Sequence, residues 1–372
     1  MRSITAIVRP VSNVCNLSCY YCYNKRESFS RSTHIMKVDV LDSTVSSFIG
    51  SDCEIVKFLW HGGEPLLAGL DFFQNATKLQ KIYTAQQSSS VIVRNNLQTN
   101  GLLLNKEKIE FFVSEKFHIG VSIDGPDYIH DQNRYDHFGK GSHNSVVNKI
   151  RMLKEMRGQF GALSVVTKSS LSYAHDIFDF FISEGLMDMH FSPYAEIDPE
   201  TNKLSKKSIT AEEFGNFVIE IFEAWKILNN PSIKVRIIDN FLQGLLGGKI
   251  EVCTFARNCG HHLLVEINGD VFICGRNAND EKFHIGNITH EKISNIITSQ
   301  IFQEMVERMR SISETCKKCK WLNLCKGGCN YYKMLLGGDA LKNTEYFCEG
   351  YKIILEKLGN WIRQEGVTTQ YL

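Results

Sequence analysis

No run of about 18 apolar residues occurs in the chain, so no bilayer-spanning helix is expected. The start, Met1 to Pro10, lacks an apolar block ending in small residues, which argues against a secretory signal. An excess of charge is also missing, with 42 Lys and Arg against 41 Asp and Glu. That balance gives no long-range attraction to nucleic acid or anionic lipid, so neither is expected as a partner; with no signal expected, the cytoplasm is the default address. Low-complexity tracts are absent, and so are internal repeats beyond a strand–helix alternation. Cysteine is absent between Cys53 and Cys253, although the chain has 12 in all.

The 372 residues, 43% of them hydrophobic, suffice for one large domain and a smaller one. Short β-rich apolar runs at Ile4–Val8, Ile55–Trp60, Val91–Leu97, Ile119–Ile123, Leu163–Thr167 and Met189–Ser192 predict strands. Amphipathic helical patterns fall between them, near 37–49, 71–86, 105–116, 143–157 and 173–185. Strand then helix, repeated, implies parallel strands with right-handed crossovers. The expected fold class is α/β, a partial (β/α)6 TIM-like barrel over residues 1–235, with its chemistry at the C-terminal strand ends. A Cys-rich second domain is expected over 236–372, around a hairpin signalled by Asn268-Gly269 between Leu263–Ile267 and Val271–Ile273. Between them, Thr210 with Glu213 reads as a capping box. The stripe Phe214, Phe217, Val218, Ile221, Phe222 and Trp225 behind it reads as core packing, and Asn229-Asn230-Pro231 as its stop.

A disulfide framework suits short extracellular domains, whereas clustered cysteines in a large chain point to metal. Cys15, Cys19 and Cys22 have C-x3-C-x2-C spacing. Three thiolates from one loop hold three irons of a 4Fe–4S cube and leave the fourth open. Zinc is the plainer alternative and needs a fourth ligand. Cys53 stands alone and reads as a small buried hydrophobe.

The segment Cys15-Asn16-Leu17-Ser18-Cys19-Tyr20-Tyr21-Cys22-Tyr23 resembles the signature of radical S-adenosylmethionine (AdoMet) enzymes, including the aromatic Tyr21 before the third cysteine. The resemblance implies that AdoMet chelates the open iron. Other segments resemble that family in order. His61-Gly62-Gly63-Glu64-Pro65 matches its glycine-rich loop, with Glu64 implied at the AdoMet ammonium. Ser122 and Asp124 match the segment that contacts the methionyl and ribose parts. Arg134 matches an AdoMet-binding arginine, and Gln98, Thr99 and Asn100 face the same cavity.

The remaining cysteines run Cys253, Cys259, Cys274, Cys316, Cys319, Cys325, Cys329 and Cys348. Eight thiolates make two complete sites, either two zinc knuckles or two cubanes. They resemble the SPASM extension of radical AdoMet enzymes. That resemblance implies an inner auxiliary cluster on Cys253, Cys259, Cys274 and Cys329, and an outer one on Cys316, Cys319, Cys325 and Cys348. The implied inventory is AdoMet and three 4Fe–4S clusters, with a flavodoxin- or ferredoxin-type electron donor.

Resemblance over almost the whole chain is strongest to anaerobic sulfatase maturases, and the same architecture serves maturases of ribosomal peptides. Sulfatase maturases place an Asp, the proposed base, directly after the third cysteine of the extension. Here that position is Gly275, followed by Arg276, and glycine accepts no proton. The expected activity is therefore oxidative C–C crosslinking of a precursor peptide, of the three-residue cyclophane type. Formylglycine formation, thioether formation or other peptide oxidation, and a zinc-stabilised binding module are the alternatives. Only 14 residues precede Cys15, so no leader-binding domain is expected upstream. Candidate catalytic residues are His61, Tyr194, Arg276 and Asp280, with His262 as a further cavity residue.

Overall fold

The computed structural model describes residues 2–23, 35–198, 200–278, 280–337 and 342–367. Six main strands follow one another along the chain: β1 (Ser3–Val8), β2 (Ile55–Trp60), β3 (Ile92–Thr99), β4 (His118–Ser122), β5 (Gln159–Val166) and β6 (Asp188–Pro193). They agree with the expected runs to within a few residues, and helices separate them as the patterns predicted. A short ribbon, β7 (Ile197–Asp198) with β8 (Lys203–Leu204), is followed by β9 (Lys234–Val235). The hairpin is β10 (His262–Val265) and β11 (Asp270–Phe272), extended by β12 (His284–Asn287).

The chain forms two compact units, neither continuous in sequence. One comprises Met1–Ile123, His130–Phe160 and Cys259–Glu307; the other comprises Asp124–Ile129, Gly161–Asn258 and Arg308–Leu372.

In the first unit the strand order is β12-β11-β10-β1-β2-β3-β4. β1 through β4 are parallel, and β10 joins β1 in parallel, with Val8 opposite Val265. The hairpin therefore continues the sheet from β1, which the sequence pattern did not indicate. The C-terminal ends of β1 and β10 come out side by side, β1 leading into the loop that carries Cys15 and β10 into the hairpin turn at Asn268-Gly269. Below them the core is aromatic: Trp60 is fully buried against Phe58, Phe72 and Phe73, and Phe73 leads on to Phe112 and Phe117. Each such ring stabilises the fold by roughly 1.5–3 kcal/mol through burial alone.

In the second unit β5, β6 and β9 are parallel neighbours. Helix Ala211–Leu228 begins at the expected capping box: Glu213 N donates to Thr210 Oγ1 at 3.1 Å and Thr210 N to Glu213 Oε2 at 2.7 Å. It ends at Asn229 in the left-handed region. Its stripe from Phe214 to Phe222 is buried, and the helix packs on Cys348–Gln364. The two cross closely because Gly350 has no side chain; a Cβ there would lie 2.1 Å from the Ala211 carbonyl oxygen. That crossing fixes where Cys348 enters. Among the described residues no helix is long and apolar enough to cross a membrane.

Candidate functional site

The first cysteine loop follows β1 and is held at several points. Ser18 N donates to the Tyr135 carbonyl at 2.7 Å and Tyr20 N to that of Asn133 at 2.8 Å. His137 Nε2 lies 3.0 Å from the Cys15 carbonyl oxygen. The Arg134 guanidinium sits 5.1 Å from the centre of the Tyr21 ring, and both side chains are buried. Arg134 and Tyr21 thus meet at the cysteine loop, a pairing that supports the ring orientation by cation–π attraction.

The glycine-rich loop closes on the same segment. Gly63 N donates to Ser12 O and Glu64 N to Val14 O, both at 2.8 Å. A Cβ on Gly63 would lie 1.9 Å from the Val14 carbonyl oxygen. The close approach that this glycine permits is therefore to the cysteine loop itself. Pro65 starts the short 3-10 turn that Glu64 caps. Glu64 is fully buried and accepts from Leu66 N at 3.0 Å, Thr99 Oγ1 at 2.8 Å and Asn100 N at 2.8 Å. Burial raises its pKa to about 7 against these donors. The carboxylate thus ties the loop after β2 to the end of β3. Ser122 accepts from Gln98 Nε2 at 2.9 Å.

Asp124 belongs to the second unit, where it is fully buried and accepts from Val165 N at 3.1 Å. Tyr194 is buried in that unit too, with its hydroxyl pushed up by burial and a hydrogen bond to Glu196. Asp280 is exposed and caps the turn Glu281–Phe283. Burial, together with the charge of Arg9, brings the pKa of His61 down to about 4, and its Nδ1 accepts from Gly62 N at 2.6 Å. Burial lowers His262 to about 4 as well. Both rings are neutral at pH 7, so neither serves there as a proton donor from an imidazolium.

The residue that sequence reasoning missed is Arg9, 1% exposed at the end of β1. Its Nη1 donates to Glu266 Oε1 at 2.7 Å and to Asn13 Oδ1 at 3.2 Å, and its Nη2 to the Gly275 carbonyl at 3.4 Å. One guanidinium therefore joins the Cys15 loop, the end of β10 and the loop after Cys274 that carries Arg276. The available signal was a charged residue directly after each of two apolar strands.

All twelve cysteines are free of disulfides. Cys316, Cys319, Cys325 and Cys348 line one small cavity in the second unit, with Trp321, Glu345 and Lys352 beside them. Burial pushes Cys325 up to about 11 and Cys348 up to about 12. Cys15 is likewise pushed up to about 12 by burial, with Glu64, Cys19 and Cys22 adding to the shift. Bringing thiolates together in this way is unfavourable unless a cation compensates them, as bound iron does. Among the described residues no three Cys, His, Asp or Glu converge closely enough for a single ion. Of the cysteines expected to hold the inner auxiliary cluster, Cys259 and Cys274 fall in the first unit, and Cys253 and Cys329 in the second. Cys53 is buried, 3% exposed.

These features define a radical AdoMet enzyme with an iron–sulfur extension. Residues 10–180 match the model of the Radical SAM superfamily, and 253–320 that of the SPASM iron-sulfur cluster-binding domain. The chain is 31% identical to the serine-type anaerobic sulfatase-maturating enzyme of Bacteroides thetaiotaomicron, over 94% of this chain and 88% of that one. It is 29% identical to the cysteine-type enzyme of Clostridium perfringens, over 96% of both. The solved structure of native anSMEcpe with bound AdoMet and Cp18Cys peptide superposes with a TM-score of 0.86 at 28% identity, covering 97% of this chain and 99% of that one. The chain belongs to the radical SAM superfamily, in the family of the anaerobic sulfatase-maturating enzymes. It is an enzyme acting on a peptide or protein, using AdoMet and 4Fe–4S clusters, with additional clusters in its SPASM domain.

The comparisons correct the expected activity. Crosslinking of the cyclophane type was inferred from the single absence of an acid at Gly275. Near-full-length similarity to sulfatase maturases outweighs it, because a proton acceptor need not occupy one fixed position in the chain.

Proposed function

We propose that this enzyme oxidises a Cys or Ser side chain of a protein substrate to formylglycine. The observation that carries the reading is similarity to both serine-type and cysteine-type maturases over more than nine-tenths of this chain. We assign Cys15, Cys19 and Cys22 to the AdoMet cluster, and Tyr21, Gly62, Gly63, Glu64, Pro65, Asn100, Ser122, Asp124 and Arg134 to the walls and braces of the AdoMet site. The two auxiliary sets are those named from the sequence. A flavodoxin- or ferredoxin-type protein supplies the electron.

AdoMet, when bound and cleaved by one electron, supplies the 5′-deoxyadenosyl radical that removes a hydrogen atom from the substrate Cβ. The side chain then loses one proton and one more electron. For serine this leaves the aldehyde; for cysteine, water replaces the sulfur, which departs as hydrogen sulfide. Gly275 cannot take the proton. The carboxylate joined to its loop is Glu266: Arg9 donates to both, and Glu266 Oε2 has no hydrogen-bond partner among the described residues. We assign proton acceptance to Glu266.

The test is mass spectrometry of sulfatase-derived peptides bearing Cys or Ser, incubated with reconstituted enzyme, AdoMet and reductant. Trapping of the product by an aldehyde-reactive hydrazide supports the reading. Release of 5′-deoxyadenosine with every such peptide left unmodified refutes it.

A further inference from the structure

Asn100 sits at the end of β3 with its backbone N–H and its side-chain amide engaged. Its backbone N–H donates to Glu64 Oε2 at 2.8 Å. Its side-chain oxygen accepts from Leu102 N at 3.0 Å. That last bond fixes which way the amide is turned, because exchanging oxygen and nitrogen would set two N–H donors against each other. The NH2 group therefore faces the cysteine loop. It donates to Asn16 Oδ1 at 2.8 Å and reaches Cys15 Sγ at 3.7 Å. The sulfur has a second donor, Leu17 N at 3.4 Å, which belongs to the backbone and is present whatever the side chains. Asn100 is 7% exposed, so water does not replace its donor freely.

Hydrogen bonds to ligand sulfurs are one of the levers that set an iron–sulfur potential. A donor aimed at a thiolate stabilises the more negative, reduced cluster and so raises its potential. We propose that Asn100 is a positioning residue that tunes the reduction potential of the cluster on Cys15, with Glu64 and Leu102 N as the clamp that keeps its amide turned toward the sulfur. The proposal rests on the assignment of Cys15, Cys19 and Cys22 to the AdoMet cluster. It gives the Asn100 side chain a role at the cluster ligand, beyond its place in the wall of the AdoMet site.

The test is a redox titration followed by electron paramagnetic resonance on the reconstituted enzyme and on the Asn100→Ala and Asn100→Asp variants. The AdoMet cluster is identified first, as the signal that changes when AdoMet is added; if no signal responds, it is the cluster assignment that has failed. In both variants that signal should titrate at a more negative potential. Asn100→Asp should shift further, since it places a negative charge beside the sulfur. The auxiliary signals should stay where they are in the wild type. A tenfold loss of reduced cluster at fixed ambient potential corresponds to about 59 mV. With a protein electron donor, 5′-deoxyadenosine release should fall accordingly, and a stronger chemical reductant in excess should restore it. An unchanged potential in both variants overturns the proposal. So does failure of both to assemble the cluster, because that outcome makes Asn100 a structural requirement and not a tuning group.

Discussion

Arg9 and Glu266 form a buried ion pair at 2.7 Å across 257 residues of sequence, with side chains 1% and 15% exposed. The pair joins the first strand of the barrel to the first strand of the cysteine-rich hairpin. Removing one partner of such a pair leaves an uncompensated charge and costs about 3–5 kcal/mol. Glu266→Ala should therefore lower the anaerobic melting temperature by several degrees. Glu266→Gln keeps an oxygen for Arg9 and should lose less. If Glu266 is the proton acceptor, Glu266→Gln should still release 5′-deoxyadenosine while product formation falls at least tenfold. Equal product from both proteins would remove Glu266 from the chemistry and leave it a purely structural group.

Gly63 is required by space. A Cβ there meets the Val14 carbonyl oxygen at 1.9 Å and the Asn13 carbonyl carbon at 2.8 Å, both backbone atoms that cannot swing aside. Gly63→Ala must displace the loop leading into Cys15. Iron content should fall by roughly four per chain, the complement of one cubane, while the auxiliary clusters persist. By contrast, Gly139 lies on an exposed turn with nothing within 4 Å of its would-be Cβ. Gly139→Ala should keep all its iron despite a positive φ of 81°. Full iron in Gly63→Ala would show that the loop tolerates the shift.

Much of the barrel was legible in the sequence, because each strand is a local apolar run and each helix a local periodic pattern. The capping box at Thr210 and Glu213 and the Asn268-Gly269 hairpin were legible for the same reason. The pairing of β10 with β1 was not, since nothing in either strand names its partner. The approach of Gly63 to the Val14 carbonyl was not legible, because a glycine announces close approach without saying to what. Arg9 escaped notice because its meaning lies in three partners, Asn13, Glu266 and Gly275, two of them more than 250 residues away. The absence of an acid at 275 was legible but over-weighted, since the sequence does not show that Glu266 shares a guanidinium with that loop.

His61 and Glu64 lie on one loop and pull stability in opposite directions with pH. The folded pKa of His61 is about 4, below its ordinary 6.5. Its contribution is present above pH 6.5 and is lost as pH falls through about 4. The folded pKa of Glu64 is about 7, above its ordinary 4.5. Its contribution is present below pH 4.5 and is lost as pH rises through about 7. Melting temperatures of His61→Asn should therefore change less than wild type between pH 6.5 and 4. Those of Glu64→Gln should change less between pH 4.5 and 7. A wild-type acid slope retained in full by His61→Asn would count against the low pKa of His61.

The outer cysteines allow electron removal to be separated from radical generation. Cys316, Cys319, Cys325 and Cys348 surround one cavity, while Cys15, Cys19 and Cys22 belong to the other compact unit. Losing a ligand from the outer set should therefore leave the AdoMet cluster assembled. The product is two electrons more oxidised than the substrate side chain, and the 5′-deoxyadenosyl radical removes only one of them, as part of the hydrogen atom. If the outer cluster carries the second electron away, the double variant Cys316→Ser, Cys348→Ser should cleave AdoMet and fail to finish the oxidation. The measured quantity is the ratio of 5′-deoxyadenosine to modified peptide, which should rise from near one to roughly ten or more. Iron should drop by about four per chain. A ratio unchanged at reduced iron content would mean that the second electron leaves by another path.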